Sequence, residues 1–95
     1  MDFNIITQKQ IDHIRNLVIK SLGCNIESFK ETFGRWELTI QVPEDKEYLN
    51  IEPLTDLFDL SYIDMKNKQI SFSQDTFPLR MSLEAKAHNY GYNWD

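Results

Sequence analysis

The stretch Arg35-Trp36-Glu37-Leu38-Thr39-Ile40-Gln41-Val42 decides the fold. Its residues alternate strictly, with Trp36, Leu38, Ile40 and Val42 on one side and Arg35, Glu37, Thr39 and Gln41 on the other, which is the period of a strand buried on one face. Pro43 follows and lacks the N–H that a ladder needs, so pairing is predicted to end there. This is the expected central strand, and the other segments are expected to pair with it or to cover its apolar side.

Working toward the N-terminus, Thr32-Phe33-Gly34-Arg35 can make a hairpin turn, and residues 25–31 before it are predicted to pair antiparallel with the central strand. Ile26, Phe29 and Phe33 are also spaced as on a helix, so a short helix is the alternative there. Further back, Thr7 with Gln10 has the form of a capping box, and Ile11, Ile14, Val18 and Leu22 recur at helical spacing until Gly23 supplies a stop. Asp12, His13, Asn16 and Lys20 fall on the opposite side and are expected to face water.

Toward the C-terminus, residues 44–52 are polar and acidic and read as a surface connection. Pro53 suits the first turn of a short helix that would put Leu54, Leu57 and Phe58 on one face. Residues 60–65 and 69–73 flank Lys66-Asn67-Lys68 and predict a β-hairpin. The second arm alternates, with Ile70 and Phe72 inward; the first does not, which leaves open whether Tyr62 or Ile63 faces the core. Asp75 or Thr76 then caps a last helix with Pro78 in its first turn and Leu79, Leu83 and Ala87 as its stripe, stopped at Asn89-Tyr90-Gly91. The expected architecture is a single α+β domain spanning residues 1–95, an antiparallel meander of about four strands with an N-terminal, a short middle and a C-terminal helix on one face.

Ninety-five residues suffice for one domain, and 41% apolar residues with twelve aromatics suffice for its core. The net charge of −5 is uneven. Residues 44–64 hold Glu44, Asp45, Glu47, Glu52, Asp56, Asp59 and Asp64 against Lys46 alone, which disfavours direct nucleic-acid binding and favours a basic protein partner. Cys24 cannot form an internal disulfide, and neither an export signal nor a membrane-length apolar run is visible, so a cytoplasmic location is expected.

The chain carries no C-x-x-C, no H-x-x-x-H, no phosphate-cradling glycine loop and no nucleophile-elbow serine, so no metal, cofactor or catalytic residue is expected. His13 reads as an exposed helix residue, His88 as a helix C-terminal cation, and Cys24 as a small, partly buried apolar residue. What remains are two binding candidates. One is the acidic belt, with Glu44, Asp45, Glu47, Glu52, Asp56 and Asp59 interleaved with Tyr48; the other is the C-terminal pair Tyr92 and Trp94, which either folds back as core or contacts another molecule. By analogy of size and charge, the expectation is a non-enzymatic inhibitor of the immunity-protein, antitoxin or phage-inhibitor kind, acting as a monomer or homodimer. The alternatives are a small enzyme with a pocket between the first helix and the sheet, and a dimeric adaptor.

Overall fold

The computed structural model describes residues 2–91 and Trp94. Its centre is the alternating segment: β2, Arg35–Gln41, is hydrogen-bonded on one side to β1, Asn25–Thr32, and on the other to β4, Gln69–Asp75, both antiparallel. The remaining strand β3, Asp59–Asp64, pairs antiparallel with β4 from outside, so the sheet order is β1-β2-β4-β3. The antiparallel four-stranded sheet is as expected, but two hairpins joined side by side replace the simple meander order. The two arms of the second hairpin differ to match this order. β4 alternates cleanly and sets Phe72 against Leu38 and Ile70 against Ile40, whereas β3 shifts register between Leu60 and Tyr62 and takes the edge.

The β1–β2 turn uses Phe33 and Gly34 at φ 52° and 78°, the left-handed pair that suits a two-residue hairpin. Glycine adopts this without penalty; Phe33 adopts it while its ring stands fully in solvent. Behind the turn, Gly34 O accepts from both Thr76 N and Thr76 Oγ1 at 2.9 Å, which ties the hairpin to the start of the last helix.

Helix α1, Gln8–Asn16, begins with the expected capping box: Gln10 N donates to Thr7 Oγ1 at 3.2 Å and Thr7 N to Gln10 Oε1 at 2.9 Å. It then widens into a π-helical turn, Leu17–Ser21, which the regular stripe did not foretell. Leu22 N bonds Leu17 O and Cys24 N bonds Val18 O, satisfying the last carbonyls while Val18, Leu22 and Cys24 stay buried. The short helix α2, Glu52–Thr55, carries Pro53 in its first turn, and α3, Thr76–Tyr90, follows β4 without a loop and ends at Gly91 with φ 72°. Ile14, Val18, Leu38, Ile40, Leu54, Phe58, Phe72, Leu79 and Leu83 form one core between the helices and the inner face of the sheet.

One buried polar cluster locks the N-terminal segment to α3. Arg80 is only 6% exposed; its Nε donates to Glu84 Oε1 at 2.7 Å and its Nη1 to Ile5 O at 2.6 Å. Glu84 Oε1 also accepts from the buried Gln10 Nε2 at 3.3 Å, so the capping glutamine of α1 and the ion pair of α3 share an acceptor.

Candidate partner-binding surface

The acidic belt does not fold as one patch. Glu44, Asp45, Glu47 and Tyr48 lie exposed on the connection after β2, Glu52 is exposed at the start of α2, and Asp59 is exposed at the start of β3. Asp56 turns the other way, its Oδ2 receiving Lys86 Nζ of α3 at 3.4 Å. Glu44, Asp45, Glu47, Glu52 and Asp59 make no ion pair among the described residues. Most of the belt therefore remains uncompensated negative surface.

Lys68 fixes where the belt sits. At the β3–β4 turn it takes φ 54° and sends Nζ to Pro43 O at 2.9 Å and to Glu44 O at 3.0 Å, while its own carbonyl accepts from Val42 N at 2.8 Å. Lys68 is thus spent on backbone carbonyls and holds the acidic connection against the hairpin, while Lys46, within the connection, lines the cavity between them. That cavity, of about 260 Å³, has Val42, Leu49, Ile63, Met65 and Ile70 as its apolar wall, with Glu47 and Asp64 among the polar residues that line it. At its mouth Tyr48 is 81% and Met65 83% exposed.

Asp64 belongs to the same edge. Its carboxylate accepts from Asn67 Nδ2 at 2.8 Å and from Asn67 N at 3.1 Å, and these bonds hold its carboxyl below the usual carboxylate range, so it stays charged at neutral pH. Along β3 itself Leu60, Tyr62 and Ile63 are all exposed, although Ile63 pairs with Ile70 on the inner side and Tyr62 lies opposite the outer-face Ser71. No charged residue between Asp59 and Asp64 marked this strand as surface. Its missing alternation was the signal, since a strand open to water on both faces has no periodic burial to enforce.

Tyr92 lies outside the described residues. Trp94 is half-buried: its Nε1 donates to Leu83 O at 3.1 Å and its ring meets His13 edge-on at 5.1 Å between centroids. His13, expected in water, is instead half-buried beneath that indole, and burial together with the positive charge of Lys86 pushes its pKa down. Such a group stabilises the fold fully above its ordinary pKa of 6.5 and loses that contribution as pH falls through the lowered folded value. Thermal unfolding between pH 8 and 5 should therefore show a loss of stability below about pH 6.5 that is smaller in a His13→Gln protein.

Cys24 is buried with Sγ 3.7 Å from Leu22 O, and burial raises its thiol pKa, partly offset by Lys46. His88 is exposed near the end of α3. Neither lines the cavity at the hairpin. Among the described residues no group of three His, Cys, Asp or Glu side chains could hold a metal ion, and no helix is long and apolar enough to cross a membrane. In comparisons with known proteins, no family model, curated protein or solved structure matches this chain.

Proposed function

We propose that this chain is a cytoplasmic, non-enzymatic binding protein that occludes a basic site on a partner protein, as small immunity proteins, antitoxins and phage-encoded inhibitors do. The observation that supports it is the juxtaposition at the β3–β4 hairpin: uncompensated Glu44, Asp45 and Glu47 beside an open apolar cavity with Tyr48 and Met65 exposed at its mouth. Carboxylates on the rim speed encounter with a Lys- or Arg-rich surface, and large side chains at the centre slow dissociation. Asp56 contributes less, because Lys86 already answers its charge.

The test is charge reversal at three exposed carboxylates of the connection, leaving its core-packed Leu49 and Ile51 untouched. Glu44→Lys, Asp45→Lys and Glu47→Lys combined should leave the unfolding midpoint nearly unchanged. Capture of a basic partner from host lysate should fall at least about tenfold and lose its dependence on salt. Unchanged capture and salt dependence would remove the basis for this function.

A further inference from the structure

The edge of the sheet suggests how such a partner is held. Among the described residues β3 is hydrogen-bonded on one side only, and between its terminal carboxylates Asp59 and Asp64 it carries no charge, only Leu60, Ser61, Tyr62 and Ile63. Proteins usually blunt an open edge with a central lysine, a proline or a covering segment. This edge has none of these on the strand itself: its apolar side chains are exposed, and the cavity opens beneath its Ile63 end. The one irregularity, the register shift between Leu60 and Tyr62, leaves Ile63 and Asp64 in regular pairing with Ile70 and Gln69.

We infer that β3 takes up an extended segment of the partner as a fifth, antiparallel strand, with a Lys or Arg at each end facing Asp59 and Asp64 and an apolar side chain lowered into the cavity beside Ile63. This rests on the function proposed above and names the partner's chemistry: a short apolar strand with basic ends. Main-chain bonds along the free edge supply affinity, and the two charged ends with the cavity between them select the register. A second copy of this chain is disfavoured in the register that overlaps β3 fully. Antiparallel β3–β3 pairing centred between Ser61 and Tyr62 sets each Asp59 against the other copy's Asp64, and like charges directly opposed are destabilising.

The experiment titrates the intact protein with acetyl-Lys-Leu-Thr-Val-Lys-amide, whose two lysines share one face as Asp59 and Asp64 do across the register shift, followed by amide NMR, with a twin in which both lysines are glutamates. The expected result is shifts at residues 59–64 and at the cavity residues Leu49 and Ile70, slower exchange of β3 amides, and about tenfold weaker binding of the glutamate twin. An Asp59→Lys protein should narrow that gap. Equal binding of both peptides, or no binding of either at millimolar concentration, overturns the inference. Shifts confined to residues 44–48 overturn strand addition while leaving the basic-partner function standing, because the charge-reversal capture tests that function separately. Protection of β3 amides that rises with protein concentration in the absence of peptide would assign the edge to a homodimer and likewise overturn it.

Discussion

An Arg80→Ala protein is expected to lose about 3–5 kcal/mol of stability, a large part of what a domain of this size possesses. The guanidinium is buried between α3 and the N-terminal segment, and its removal leaves Glu84 without its ion pair at 2.7 Å and Ile5 O without its donor. Breaking a buried pair from one side costs more than the pair itself contributes, because the remaining charge keeps its desolvation penalty. Glu84 retains 22% of its side-chain exposure, so water recovers part of the loss and the lower end of the range is expected. Glu84→Gln, which still offers Arg80 an oxygen, should cost clearly less. Urea unfolding of the three proteins checks the order; an Arg80→Ala protein within 1 kcal/mol of the parent, on the order of a surface substitution, would show that the cluster carries little of the fold.

Phe72→Ala should be comparably damaging, at about 3–5 kcal/mol, because Phe72 is fully buried at the middle of β4 and packs between Leu38 of β2 and the helices. Its other cross-strand neighbour, Leu60, is half exposed on β3, and Leu60→Ala should cost under about 1 kcal/mol. The contrast between two apolar residues facing each other tests the strand order itself. In a meander β3 would be interior and Leu60 the costlier loss. Equilibrium unfolding in urea, with slopes compared to confirm two-state behaviour, distinguishes the two arrangements.

Local periodicity carried most of the architecture. The alternation of residues 35–42 placed β2 inside the sheet, Thr7 and Gln10 announced the start of α1, and the clean alternation of Ile70 and Phe72 marked β4 as the buried arm of its hairpin. Strand order was not legible, because period identifies which face of a strand is buried and says nothing of which strand lies beside it. Arg80 gave no sign of burial: it sits between Leu79 and Met81 on a helix whose outward side also carries Phe77 and Met81, so the apolar pattern does not isolate one face. His13 was read as exposed and Trp94 as either core or contact for a related reason, since the contact that half-buries both joins residues far apart in the chain. For the candidate surface, the carboxylates and Tyr48 were readable from charge and aromatic content. The cavity, the role of Lys68 and the open edge depend on the pairing of β3 with β4, which only the folded chain reveals.

The joining of two hairpins has a consequence during synthesis. β1 and β2 are adjacent in sequence and can zip together on the microsecond scale of a hairpin, but the other side of β2 waits for β4, with Thr39 and Ser71 thirty-two positions apart. At ribosomal speeds of about 5–20 residues per second, the nascent chain holds its most strongly patterned strand with one flank unpartnered for about two to six seconds. That interval is when this protein is most open to pairing with neighbouring nascent copies, and slower translation across residues 42–69 would lengthen it.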